Sequence, residues 1–242
     1  MDIKDKVIII TGASQGIGEA TAKYLSAKGA KVVLAARSAD SIEKLAKQLP
    51  DSLAVPSDMR KEEDIKNLVD QTLKKYGRID ILINNAGQGM YGPLENIDVE
   101  KYKQIMELNV YGVLRAMQAV IPQMRKQGGG QIINISSRVS KNYFPALSAY
   151  ASTKYAVNAL SLTARQELEK DKIVVSVFHP KMTSSNFGKN SMGSSPWAGN
   201  RDSGGSTSSP PSGRPSPDVD TSEQVAEKIA ELIVSEEPEA SM

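Results

Sequence analysis

Tyr150 and Lys154 stand four residues apart in Tyr150-Ala151-Ser152-Thr153-Lys154. The stretch reads as helix, and positions i and i+4 share a face, so a phenol and an ammonium would point into the same space. A tyrosine hydroxyl ordinarily loses its proton near pH ~10, too high for acid–base work in a cell. A cation about 4 Å away, at an effective dielectric of about 20, contributes roughly 4 kcal/mol, or about three pK units. That shift would bring the phenol into a useful range. The bland alternative is a solvated lysine beside a packing tyrosine, and the spacing alone does not separate the two.

Composition removes other chemistries. The chain has 242 residues, no cysteine and one histidine, His179. Disulfides, thiolate metal sites, cysteine nucleophiles and histidine metal clusters are therefore excluded, and no metal is expected. A Ser-His-Asp triad would have to use His179, which follows the apolar run 173–178 and reads as a strand-end residue. A net charge of +2 is too small to suggest a nucleic-acid partner. The N-terminus enters an apolar strand directly and has no signal-peptide pattern, and no apolar run is long enough to span a bilayer. The expectation is a cytoplasmic protein with no membrane association.

The elements that would position the pair alternate regularly. Short, β-branched, nearly continuous apolar runs at 7–10, 31–36, 53–55, 79–83, 131–135 and 173–178 read as strands covered on both faces, as in a parallel sheet. Between them lie amphipathic stretches near 17–28, 39–49, 61–75, 98–126 and 149–170. Gly29 and Gly77 suit helix C′ positions, and Asp98 suits an N-cap. This β-α alternation predicts right-handed crossovers and a Rossmann-type doubly wound sheet with helices on both faces, in a single domain spanning 1–242. The Ser-, Gly- and Pro-rich stretch 184–217 breaks the pattern and reads as a flexible loop on the substrate side. Helical pattern resumes at 221–234, with Thr221 or Ser222 as cap.

The first strand ends in Thr11-Gly12-Ala13-Ser14-Gln15-Gly16-Ile17-Gly18. Glycines there permit a tight turn and a close approach of backbone to ligand, and the following helix N-terminus offers free N–H groups to a pyrophosphate. The spacing departs from GxGxxG and is not a Walker loop. The second strand ends in Ala35-Ala36-Arg37-Ser38, without the acid that binds a ribose 2′-hydroxyl. An arginine suits the 2′-phosphate of NADP, so NADP(H) is expected over NAD(H).

Together these features resemble the short-chain dehydrogenase/reductase family, in its short single-domain branch. Over about residues 5–185 the motifs follow in unbroken order. The Gly-rich turn comes first, then Asp58-Met59, Asn84-Asn85-Ala86-Gly87, Asn109-Val110-Tyr111-Gly112, Ile135-Ser136-Ser137 and Tyr150-xxx-Lys154, with Tyr150 thirteen residues after Ser137. The resemblance implies sheet order 3-2-1-4-5-6, with a seventh strand at most a short edge because the chain stops at Glu239-Ala240-Ser241-Met242. It also implies that Tyr150 is the general acid in carbonyl reduction and the base in reverse. Lys154 would lower the pKa of Tyr150 and bind the nicotinamide ribose. Ser137 would hydrogen-bond the substrate oxygen, and Asn109 would hold a water linking Lys154 to solvent. Cofactor contacts are implied at Gly12, Ser14, Gln15, Gly16, Ile17 and Gly18, and at Arg37 and Ser38. Asp58 and Met59 would serve the adenine, while Asn85, Ala86, Gly87, Pro180 and Thr183 continue the groove.

The implied reaction is reduction of an aldehyde, ketone or 3-ketoacyl group to an alcohol, or its reverse. The substrate is a small molecule, with Tyr143 and Ser137 beside it, and the assembly a homodimer or homotetramer. Three departures from the family pattern stand out. Lys181 follows Pro180 where Gly is frequent, Ser185 replaces a Thr while Thr183 occupies a usually apolar position, and Ser140 stands where Gly is frequent. Two other readings stay open: a catalytically silent NADP-binding sensor or scaffold of the same fold, and a sugar-nucleotide epimerase or dehydratase on a related fold.

Overall fold

The computed structural model describes residues 2–184, 187, 188, 190–193 and 219–242. Strands β1 (Val7–Thr11), β2 (Lys31–Ala36), β3 (Leu53–Pro56), β4 (Ile81–Asn84), β5 (Gly130–Ile135) and β6 (Ile173–His179) alternate with helices. The helices are α1 (Gly16–Ala27), α2 (Ala39–Ala46), α3 (Glu62–Tyr76), α4 (Val99–Met106), α5 (Gly112–Lys126) and α6 (Ser148–Leu168). After the two-residue strands β7 (Thr183–Ser184) and β8 (Asp220–Thr221), which pair with each other, come α7 (Ser222–Ser235) and β9 (Glu239–Ser241). The main sheet has seven strands in the order β3-β2-β1-β4-β5-β6-β9, every pairing parallel.

Alternation along β1 shows why a continuous apolar run is needed. Ile8 and Ile10 face a core with Leu25, Ile42, Val225, Ile229 and Ile233, whereas Val7 and Ile9 face one with Ile65, Leu68, Met117, Val120 and Val157. Both faces are helix-covered, so no side of the strand can be polar. Local stop signals act as the sequence predicts. Gly77 caps α3 at φ 73°, the Asp98 carboxylate accepts from the N–H groups of Glu100 and Lys101, and Thr221 forms a capping box with Gln224.

Three elements differ from expectation. The fourth strand begins at Ile81 rather than 79, because the Gln127 side chain takes both the N–H and the carbonyl of Ile79. The stretch 98–126 is not one helix: a π-helical turn, Glu107–Tyr111, separates α4 from α5. The seventh strand is real but short. It is tied to β6 by the Val177 N–H donating to the Pro238 carbonyl at 2.9 Å and by the Ser176 hydroxyl donating to the Glu237 carbonyl at 2.6 Å. The loop expected at 184–217 lies largely outside the described residues, as does Ser185. No described helix is long and apolar enough to cross a membrane.

Candidate active site

The C-terminal ends of β1, β4 and β5 and the N-terminal half of α6 converge on one place, the edge where doubly wound sheets bind ligands. Thr11 joins the first two strands: its hydroxyl accepts from the N–H groups of Asn85 and Ala86, both at 3.0 Å. The Asn85 amide donates to the carbonyls of Thr11 (2.9 Å) and Gly12 (3.2 Å). Asn85, expected at the cofactor, thus spends its side chain building the turn, and Thr11, absent from the expected contacts, is its keystone.

Gly12 and Gly16 have φ of 68° and 58°, a region that favours glycine. A Cβ on Gly18 would overlap the Gly12 carbonyl, and one on Gly12 would come within 2.9 Å of Ala86 Cα. Gln15 precedes α1 in extended backbone and makes no side-chain cap, so it claims none of the first N–H groups of α1. Ser14 and Ile17 flank this uncapped end, half-buried. The pieces fit a pyrophosphate, with bare backbone and a partial positive charge presented to an anion.

At the other end of the groove Arg37 and Ser38 are exposed after β2. Asp58, expected at the adenine, is paired with Arg60, which meets its carboxylate with Nε at 2.9 Å and Nη2 at 2.5 Å. The Arg60 fork, with the Arg37 charge further off, holds the Asp58 carboxyl below its usual range. Met59 is buried. Gly112 lets its backbone approach, since a Cβ there would lie 2.6 Å from the Met59 carbonyl oxygen.

Ser137 and Tyr150 come together as expected, close enough for the Ser137 side chain to act on the Tyr150 phenol. Ser137 stands in extended backbone just after β5 and caps the short turn Arg138–Ser140. The Lys154 ammonium is buried, donates to the Ile135 carbonyl at 2.8 Å, and lies 5.9 Å from the centre of the Tyr150 ring. Burial pushes Lys154 down to about 8. For Tyr150 the balance opposes expectation: burial drives the phenol upward, the Ser137 side chain draws it only partly back, and Tyr91 raises it further. Desolvation, rather than a nearby ammonium, dominates the phenol.

The Asn109 side chain is bonded on both its polar atoms. Its carbonyl oxygen accepts from the Gln88 N–H at 2.9 Å, and its amide donates to the Gln88 carbonyl (2.9 Å) and the Thr153 hydroxyl (3.1 Å). The side chain is committed to pinning the loop after β4. Gly87 lies between Asn109 and Lys154, and a Cβ there would sit 3.3 Å from Asn109 Oδ1 and 3.6 Å from Lys154 Nζ.

Tyr143, expected beside the substrate, is almost fully exposed and stacks on Tyr155 with ring centroids 6.0 Å apart. The ring that packs on Tyr150 is Phe187, at 5.6 Å. No periodicity marks Phe187, and only the fold brings it there. Residues 187, 188 and 190–193 rest on the loop after β4, with Met192 bridging Met90 and the Gln88 amide donating to the Asn190 carbonyl at 2.8 Å. Pro180 follows β6 and accepts from the Arg138 N–H, whereas the Thr183 hydroxyl donates back to the Lys181 carbonyl.

A doubly wound parallel sheet with a glycine turn at its first crossover and a Ser-Tyr-Lys group at its C-terminal edge defines a dinucleotide-type oxidoreductase. A family model described as short chain dehydrogenase matches residues 6–194. The chain belongs to the short-chain dehydrogenase/reductase family of oxidoreductases. It is 43% identical over 168 residues to an uncharacterized oxidoreductase of Staphylococcus saprophyticus, a match covering 69% of this chain and 68% of that protein. Among solved structures, a 3-ketoacyl-(acyl-carrier-protein) reductase from Brucella melitensis, complexed with NADH, matches with TM-score 0.81 and 28% identity over 95% of this chain and 91% of that one. An alcohol dehydrogenase from the archaeon Thermococcus sibiricus, complexed with 5-hydroxy-NADP, matches with TM-score 0.82 and 27% identity over 99% and 96%.

Proposed function

We propose that the protein is an NADP(H)-dependent oxidoreductase that reduces an aldehyde, ketone or 3-ketoacyl group to an alcohol, with Tyr150 as the proton donor. The observation that carries this reading is the meeting of the Ser137 and Tyr150 side chains, with the buried Lys154 ammonium over the Tyr150 ring. When bound, the nicotinamide dinucleotide supplies the hydride. The Ser137 hydroxyl donates to the carbonyl oxygen and stabilises the charge that develops there. Tyr150 breaks its O–H bond to deliver the proton to that oxygen, and Lys154 steadies the resulting phenolate. Burial keeps the phenol protonated at neutral pH, the form a donor needs. Lys154, Gly87, Ala86 and the turn from Gly12 to Gly18 would hold the cofactor. NADP is favoured by Arg37 after β2, where no carboxylate stands to bind a 2′-hydroxyl. Phe187 against Tyr150 suits an uncharged, partly apolar carbonyl compound.

The test is NADPH oxidation against a panel of aldehydes, ketones and ketoacyl thioesters, with wild type and Tyr150→Phe. Wild type turns over at least one compound, and Tyr150→Phe loses nearly all turnover while still binding NADPH. Full turnover in Tyr150→Phe would place the acid elsewhere, and NADPH binding without consumption across the panel would favour a silent sensor.

A further inference from the structure

His179 ends β6 with no exposed surface. Both ring nitrogens meet polar partners: Nδ1 lies 3.2 Å from Ser140 Oγ, and Nε2 lies 3.1 Å from Glu239 Oε1 on β9. The Ser140 hydroxyl donates to the Ser137 carbonyl at 2.6 Å and lies 3.0 Å from the Ser136 hydroxyl. Glu239 accepts in addition from Lys141 Nζ at 2.8 Å. An unbroken polar chain therefore runs from the edge strand at the C-terminus, through the buried imidazole, to the backbone of Ser137. Two backbone bonds flank it, Ser136 N–H to the Phe178 carbonyl at 2.8 Å and Arg138 N–H to the Pro180 carbonyl at 3.1 Å.

Burying an imidazole where an apolar side chain would fill the space costs free energy unless its bonds are made. Counting hydrogens shows what the bonds do. Lys141 holds Glu239 ionised, so the carboxylate accepts and Nε2 carries the hydrogen of the neutral ring. Nδ1 is then an acceptor. Ser140 has one hydrogen and three acceptors within reach of it, the Ser137 carbonyl, the Ser136 hydroxyl oxygen and Nδ1, with the carbonyl nearest. A ring protonated at Nδ1 would instead donate to Ser140 and leave that hydrogen to the Ser137 and Ser136 oxygens. The groups facing the ring are Glu239 from β9, Lys141 and Ser140 from the loop after β5, and the Ser137 carbonyl.

We propose that Ser140, His179 and Glu239 are positioning residues that hold the Ser137 hydroxyl at its working angle by tying its backbone to the C-terminal strand. The inference rests on the reading that Ser137 donates to the substrate oxygen. Glu239 never approaches the reacting atoms in this scheme and acts only through His179 and Ser140.

The experiment is a double-mutant cycle on the full chain, with Ser140→Ala, Glu239→Ala and their combination, plus Glu239→Gln, which keeps an oxygen acceptor. Each alanine variant lowers kcat about tenfold, the double variant loses about the same rather than a hundredfold, and Glu239→Gln regains most of the loss. The Kd for NADPH stays within about twofold in all of them. Glu239 sits on an edge strand with a part-exposed side chain, so Glu239→Ala tests the idea even where Ser140→Ala folds poorly. Losses that multiply, or a lowered melting temperature with kcat unchanged, overturn the inference. Ser137→Ala is measured alongside. Wild-type turnover in Ser137→Ala means the catalytic reading itself has failed. Loss of turnover in Ser137→Ala with the other variants fully active means that only the positioning inference has failed.

Discussion

The Lys154 ammonium donates 2.8 Å to the Ile135 carbonyl while lying 5.9 Å from the centre of the Tyr150 ring. One side chain thus anchors the end of β5 and places a positive charge over the ring of the proposed acid, within cation–π range. Burial alone accounts for its pKa of about 8, so the charge is held at a cost to folding.

That cost can be measured. The pKa of Lys154 falls from 10.5 to about 8, so between those values the unfolded chain binds more protons and stability rises with pH. At pH 7 the full penalty stands, about 3 kcal/mol, offset by about 1 kcal/mol from the bond to Ile135. Lys154→Met is therefore expected to gain about 2 kcal/mol at pH 7, raise Tm by roughly 5 °C, and abolish turnover. Thermal melts of both proteins decide it, and a lower Tm in the variant would mean that the ammonium stabilises the fold.

Arg37 is proposed to read the adenosine end of the cofactor. Removing a charge-assisted phosphate contact and substituting a carboxylate should weaken NADPH binding about 10- to 100-fold in Arg37→Asp, with NADH changed only a few-fold. Kd values for both cofactors from fluorescence titration check this, and unchanged selectivity would remove Arg37 from the assignment.

His179 sets an acid limit on stability. Burial, the largest influence on it, holds its pKa below 6.5 in the fold. Below 6.5 the unfolded chain binds the proton first, so stability falls with acidification until the folded pKa is reached. Tm should decline from pH 7 to pH 5, and the decline should be shallower in His179→Gln. Parallel curves for the two proteins would assign the acid sensitivity to other groups.

Gly89 seats the segment over Tyr150. A Cβ there would overlap the Ser191 hydroxyl and come 3.0 Å from the Phe187 ring. Gly89→Val should lift Phe187 and Ser191 away and raise KM for the carbonyl substrate about tenfold, with NADPH affinity within about twofold. Phe187→Ala should do the same. An unchanged KM in both would show that the Phe187 ring does not line the substrate site.

Much of the molecule was legible because its signals are local. Apolar runs of strand length, helical spacing, the caps at Gly77, Asp98 and Thr221, and the order of motifs from Thr11 to Lys154 all act within a few residues. They specified the doubly wound sheet and the pairing of Ser137 with Tyr150. The π turn at Glu107–Tyr111 was not legible, since nothing in the local spacing marks an extra residue, which shows only once α4 and α5 are packed.

The amino-acid order by itself determined the strands, the helices and the residue types that meet at the C-terminal edge of the sheet. Tertiary structure alone decided what those residues touch. It turned the Asn109 amide onto Gln88, closed Arg60 on Asp58, stacked Tyr143 on Tyr155, and laid Phe187 against Tyr150. It also joined His179 to Glu239 across sixty positions. The reason is physical: backbone preference and periodicity reach a few residues along the chain. Desolvation and hydrogen-bond partnership depend on neighbours that only the folded chain brings together.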